Sequence, residues 1–343
     1  MTRVERSGGQ DAVVIPRLLV ALVLAGLALG GRTGPASSGP QDRTPPAPVV
    51  SPVVPLRGVT LESVRHLDEI EQALARHSRR PVARIVFQRG AGPAHYTRAV
   101  RRLHDDSYLM GEILDSTAVR RTTVREYRNR TRAFVHRFGS RLDLYEIGNE
   151  LNGEWLGRPR SINAKVAAAY DVVKGEYADL GLRSVVTLNY WPSRDCYAHD
   201  WEATLPFARQ LPRRVRHGVD LVLLSFYETA CSPRAHPSAG QFASTLRSLG
   251  EIFPDAQVGI GELGAQGRAD GLPRDPTSAE KERIARRYIG MHDRLADAVG
   301  PRFVGGYFWW YYATDAVPWD RADSLWPTLE DLYATLGQPR AGP

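Results

Sequence analysis

Eight short apolar runs, each followed by a stretch with apolar residues three or four apart, constrain this chain more than any other feature. The runs are Leu56–Thr60, Ala83–Gln88, Tyr108–Leu114, Leu142–Glu150, Ser184–Tyr190, Val219–Tyr227, Gln257–Glu262 and Phe303–Trp310. Several are almost wholly apolar, as expected of parallel strands covered on both faces. Between them run helical stripes: Val64, Leu67, Ile70 and Leu74; then Val166, Tyr170, Val173, Tyr177 and Leu180. A third stripe, Ile284, Tyr288, Met291 and Leu295, is opened by the capping-box pattern Thr277-Ser-Ala-Glu280. Gly139, Gly181 and Gly300 stand where helices should end, and Pro206 and Pro212 make the fifth helical region the least regular. Such alternation allows an open doubly wound sheet or a closed barrel. No G-x-G-x-x-G turn follows the first strand, and the strand count matches a barrel. The expected fold is α/β, a (β/α)8 TIM barrel formed as a single domain over residues 56–338.

Composition changes before residue 56. Arg3 and Arg6 precede Leu18–Leu29, a run that is apolar throughout apart from Gly26, with Ala28, Gly30 and Gly31 near its end. A dozen or so apolar residues fit a signal sequence and fall short of the ~20 that span a bilayer. Residues 1–30 therefore read as a signal peptide, or as an uncleaved N-terminal anchor. Residues 31–55 are rich in Gly, Pro and Ser and read as a disordered linker. Both readings deliver the domain outside the cytoplasm, secreted or tethered to the cell surface. The chain has two cysteines, Cys196 and Cys231, expected on neighbouring loops after the fifth and sixth strands. In an oxidising compartment they should pair, stabilising the fold by about 3–4 kcal/mol through loop entropy. Two separate buried thiols are the alternative.

The formal net charge is +7 and is almost entirely arginine, Lys165, Lys174 and Lys281 being the only lysines. The basic residues are spread along the chain rather than clustered, which argues against nucleic acid as a partner. The histidines show no H-E-x-x-H or paired ligand spacing, so no metal is expected. Neither a P-loop nor a G-x-S-x-G elbow is present, and no cofactor is implied. The protein is expected to be a monomer, with the membrane involved only through the anchor.

Barrel sites gather at the C-terminal ends of the strands. There the fourth run ends in Gly148-Asn149-Glu150, the sixth in Ser225-Phe226-Tyr227, the seventh in Gly261-Glu262 and the eighth in Trp309-Trp310-Tyr311-Tyr312. Two glutamates facing each other across a barrel mouth are what glycosidic bond cleavage needs: one acid for the leaving oxygen, one carboxylate for the sugar. Aromatic rings suit the apolar faces of sugars, and Trp155, Tyr190, Trp191, Trp309, Trp310 and Trp319 lie at or past strand ends.

The segment Tyr145-Glu-Ile-Gly-Asn-Glu150 resembles the strand-four signature of the clan A glycoside hydrolases, retaining barrel enzymes that include cellulases, mannanases and β-xylosidases. The resemblance implies Glu150 as acid/base and Glu262 as nucleophile. It implies that Asn149 bonds the substrate 2-hydroxyl, that Tyr227 contacts the nucleophile, and that Arg84 keeps the nucleophile ionised. It also implies that Trp309 or Trp310 forms the floor of the sugar site; Trp191, an aromatic just past the fifth strand, is a further candidate substrate contact. Leu151 stands where the clan often has proline, and Ser225 stands near strand six where it often has histidine.

Plainer readings exist for each residue. Glu150 could cap the segment that follows it, and Glu262 could be a buried ion-pair partner of Arg84. Glu146 shares strand parity with Glu150 and reads as a structural partner of Arg84, or as a rival acid. Glu112, Glu154 and Glu228 read as rim residues. One of Trp309 and Trp310 must face away from the site, because neighbours on a strand face opposite sides. The expected activity is a retaining glycosidase on a β-linked oligo- or polysaccharide, with transglycosylation open. A catalytically silent, carbohydrate-binding barrel is the alternative.

Overall fold

The eight runs form strands β1 Leu56–Leu61, β2 Val82–Val86, β3 Tyr108–Glu112, β4 Leu144–Gly148, β5 Ser184–Asn189, β6 Leu221–Phe226, β7 Gln257–Leu263 and β8 Phe303–Trp309. In this computed structural model, which describes residues 51–338, they pair in sequence order and in parallel, and β8 closes on β1. The fold is therefore the closed (β/α)8 barrel. The signal or anchor segment and most of the linker lie outside the described residues. Among those described, no helix is long and apolar enough to cross a membrane.

Strand alternation sorts the side chains into two cores. Leu56, Val82, Tyr108, Met110, Leu144, Val185, Leu221, Leu223, Val304 and Phe308 make a small cluster that fills the barrel. The intervening residues, such as Ala83, Ile85, Tyr145, Ile147, Val222, Leu224 and Ile260, pack outward against the helices in a much larger cluster. Near-continuous apolar strands follow from burial on both sides.

Three of the longer helices start at capping boxes. Thr123 and Glu126 cap Val124–Phe138, and Ser238 and Gln241 cap Ala239–Ile252. Thr277 and Glu280 cap Ser278–Ile289, as the sequence pattern requires. The fifth region is split at Pro212 into Thr204–Gln210, whose first turn holds Pro206, and Arg213–Arg216. One stripe departs from expectation. The helix Pro159–Tyr170 runs into a π-helical turn, Asp171–Glu176, so Val166 to Leu180 is not one continuous helix. Val172 and Val173, both in the wider turn, are buried in the core. Within the loop Gln266–Asp275, Gly267 N–H donates to Asp270 and Arg268 N–H to Asp275, each at 2.8 Å.

Candidate active site

Two irregularities in the ladder determine which side chains reach the barrel interior. On β4, Glu146 pairs with Val185 but Gly148 pairs with Val186, so one extra residue is inserted. That bulge brings Asn149 level with Thr187, whose hydroxyl points inward to Glu146. On β7, Ile260 pairs with Leu224 and Glu262 with Ser225, so Gly261 is extra. Gly261 also faces inward: a Cβ there would stand 2.7 Å from Leu223 Cβ and 3.0 Å from Thr187 Cγ2. Two consecutive residues can share the interior only because the first has no side chain. Glu150 lies just past β4 with φ +50°, a left-handed conformation rare for glutamate. The simple strand parity between Glu146 and Glu150 therefore does not hold. The bulge and the left-handed residue intervene.

These turns bring Glu150 and Glu262 together. The Ser225 hydroxyl lies 3.1 Å from Glu150 Oε1 and 2.9 Å from Glu262 Oε2. The two carboxyl oxygens are thus no further apart than the sum of those distances, about 6 Å. Glu262 Oε2 also accepts from the Tyr227 hydroxyl at 3.0 Å, and Oε1 accepts from Asn149 Nδ2 at 2.8 Å. Arg84 stands 3.0 Å from Glu262 Oε1 and donates from Nη1 to both oxygens of Glu146 at 3.2 and 3.1 Å. Burial alone would lower the Arg84 pKa, but the adjacent Glu146 and Glu262 charges outweigh it and raise it. Arg84 is a fixed cation. Glu146 is its buried structural partner.

Glu150 sits in different surroundings. Burial and the neighbouring Glu262 charge push its pKa up to about 8, while hydrogen bonds from Ser116 and Ser225 act in the opposite direction. Glu150 Oε2 accepts from Ser116 at 2.9 Å, and Ser116 Oγ accepts from the Trp155 indole at 3.1 Å. One carboxyl is therefore surrounded by donors and a cation, and the other stays protonated near neutral pH.

The tryptophans separate. Trp310 is half-buried, with its ring centroid 5.1 Å from Arg84 Cζ. Trp309 is fully buried among outward-facing residues, and its indole donates to Asp315 at 2.9 Å. Its expected substrate contact is corrected: Trp309 is core, because strand neighbours face opposite ways. Trp191 follows β5 and has a buried indole N–H without an acceptor, outside the hydrogen-bonded group around the carboxyl pair. Cys196 and Cys231 are bonded, joining the loops after β5 and β6.

Three rim assignments also change or hold. Glu154 is exposed, as expected. Glu228 is buried and structural: it pairs with Arg287, lies 3.1 Å from His236 and accepts the Tyr288 hydroxyl at 2.9 Å. Glu112 is wholly buried at the end of β3, level with Glu146, and neither of its oxygens has a hydrogen-bond partner. Burial and the Glu146 charge raise its pKa well above the usual carboxylate range. Sequence reasoning missed Ser116 and treated Ser225 only as a departure. Ser225 was legible by its two-residue spacing from Tyr227 on one strand face; nothing in the sequence singles out Ser116.

Among the described residues, Glu154, His199 and Glu202 bring possible ligand atoms within 4.8 Å of one another. Glu202 already accepts the His199 backbone N–H at 2.7 Å, and the other two are exposed, so the group reads as a rim ion pair.

No protein-family model matches the chain, and no curated protein matches it by sequence. By three-dimensional comparison it is similar to fungal β-1,4-galactanases, at 11% identity over 75% of this chain and 89% of that one, TM-score 0.49. It is similar to the family 1 β-glucosidase of Thermotoga maritima, at 13% identity over 71% and 75%, TM-score 0.49. It is also similar to a thermostable mutant of a xylanase of Cellvibrio japonicus, at 14% identity over 77% and 90%, TM-score 0.47. The barrel assignment stands on the chain's own strand order and not on these likenesses.

Proposed function

We propose that this protein is a retaining glycosidase that cleaves a β-linked glycan or glycoside by double displacement, with Glu150 as acid/base and Glu262 as nucleophile. The observation that carries the reading is the single hydroxyl of Ser225 within hydrogen-bond reach of both carboxyls. It bounds the facing oxygens, Glu150 Oε1 and Glu262 Oε2, at about 6 Å, which accommodates the roughly 5–5.5 Å spacing of retaining enzymes. The asymmetry of the pair supports the division of roles. Glu150 is kept protonated by burial and the Glu262 charge, as an acid must be. Glu262 is oriented by Asn149, Tyr227 and Arg84. Asn149 Oδ1 is buried without a partner and is available to a sugar hydroxyl, and Trp310 offers a ring face beside Arg84.

In the first step Glu262 attacks the sugar carbon while Glu150 protonates the leaving oxygen. In the second, Glu150 takes a proton from water, or from another sugar, as that oxygen displaces Glu262. The proposal includes export: the Cys196–Cys231 bond is of the kind that oxidising compartments sustain, and residues 1–30 carry a signal-like pattern.

The test is turnover of a panel of aryl β-glycosides, with the configuration of the first-formed product followed by NMR. Glu150→Ala and Glu262→Ala should each reduce turnover by at least about a hundredfold, with retained configuration in the wild type. A product of inverted configuration, or wild-type glycan binding with no mutation-sensitive turnover, would overturn the reading. The second outcome would leave a silent carbohydrate-binding barrel.

A further inference from the structure

Ser225 has one hydroxyl proton and two carboxyl oxygens within reach, Glu150 Oε1 at 3.1 Å and Glu262 Oε2 at 2.9 Å. It can donate to only one of them at a time. The other side of Glu150 is already determined. An indole N–H is a donor only, so Trp155 gives its hydrogen to Ser116 Oγ, and the Ser116 hydroxyl in turn donates to Glu150 Oε2. An acid proton on Glu150 therefore belongs on Oε1, the oxygen that faces Ser225. With that proton present, Ser225 accepts from Glu150 and donates to Glu262. If Glu262 is neutral and Glu150 ionised, the same hydroxyl can turn and donate to Glu150.

We propose that Ser225 is a positioning residue that works as a two-position switch, its single proton serving whichever of Glu150 and Glu262 carries the charge. The inference rests on the double-displacement reading above. At rest Glu262 is the anion and Ser225 points to it. As a Glu262 oxygen bonds to the sugar carbon, the bond from that carbon to the leaving oxygen breaks, and that oxygen takes the Glu150 proton. Glu262 is then an ester and Glu150 the anion, so the Ser225 proton swings to Glu150 Oε1. In the second step water loses a proton to Glu150 and bonds to the sugar carbon. The sugar–Glu262 bond breaks, its electron pair returns to Glu262, and Ser225 swings back. The other donors are dedicated: Tyr227 and Asn149 reach Glu262, and Ser116 reaches Glu150.

The switch can be tested without a substrate, because Glu262→Gln removes the charge at that position as esterification would. Glu150 also faces Asp115 and Tyr227, which stay the same throughout. The Glu150 carboxyl is titrated by carbon NMR in protein labelled at glutamate Cδ, its resonance identified by loss in Glu150→Gln. Wild type, Ser225→Ala, Glu262→Gln and the double variant are compared. In the Glu262→Gln background, Ser225→Ala should raise the Glu150 titration midpoint by about one pH unit, the loss of one hydrogen bond to a charged group. In the wild-type background the rise should be less than half as large, and Ser225→Thr, which keeps the hydroxyl, should behave as serine in both. Equal shifts in the two backgrounds, or none in either, would overturn the switch. Failure of the glycosidase reading would appear instead as absent turnover, with the titrations unaffected.

Discussion

At the scale of single residues, the site depends on which carboxyls have partners. Glu262 accepts from three groups, Asn149, Ser225 and Tyr227, and pairs with the Arg84 charge, whereas Glu112, wholly buried in the same barrel, accepts from none. A buried carboxyl without donors stays protonated, since ionisation would cost several kcal/mol in solvation. Its folded pKa is raised above its unfolded value by burial and by Glu146. Its contribution to stability is therefore full below the unfolded pKa and is lost as pH rises toward the folded one. Glu112→Met removes this dependence. The stability advantage of the variant over wild type should grow between pH 4 and pH 8, to on the order of 1–3 kcal/mol. Urea unfolding at both pH values would measure it, and a pH-independent difference would rule the idea out. The sequence pointed to Glu150, Glu262, Arg84 and Tyr227, residue types with strand positions. It could not show that Glu112 points inward and unpartnered, because that depends on a neighbouring strand.

At the scale of elements, a bulge in β4 and another in β7 decide the geometry of the carboxyl pair. Both override the two-residue alternation by which strand residues are normally assigned to faces. Gly261 is the critical position. Alanine there would press its Cβ against Leu223 and Thr187 and push Glu262 away from its donors. Gly261→Ala should cost about 1–3 kcal/mol in thermal unfolding and should impair turnover more than that loss accounts for. Gly90→Ala, where a Cβ meets nothing within 4 Å, is the matched control and should be neutral. If both variants keep full turnover, the β7 bulge does not position Glu262. The strands and the helix capped by Thr277 were legible because apolar period and a capping box are local signals. The π-helical turn at Asp171–Glu176 was not, because the apolar spacing of Val166, Tyr170, Val173 and Tyr177 fits a regular helix equally well.

At the scale of the whole molecule, closure of the barrel brings the first strand against the last helix. Arg57, nearly buried, donates to the carbonyls of Tyr333 at 2.7 Å and Leu336 at 2.8 Å, and to Pro55 at 2.8 Å. The Tyr333 hydroxyl returns to Gly58 O at 2.6 Å and Tyr307 O at 3.1 Å. Arg57→Ala should strip three carbonyls of a charged donor at once and lower the unfolding free energy by about 2–4 kcal/mol. Denaturant unfolding should show a lower midpoint with an unchanged slope. An unchanged midpoint would mean that this latch does not contribute. By itself the sequence determined the order and number of strands, the helix start at Thr277 and the residue types at each strand end. These follow from local periodicity and from short-range hydrogen-bonding preferences. Only the tertiary structure decided which of those residues meet: the bulges that turn Asn149 and Glu262 inward, the burial of Trp309, and the hydroxyl of Ser225 between two carboxyls. Such contacts join residues dozens of positions apart, and no local pattern specifies them.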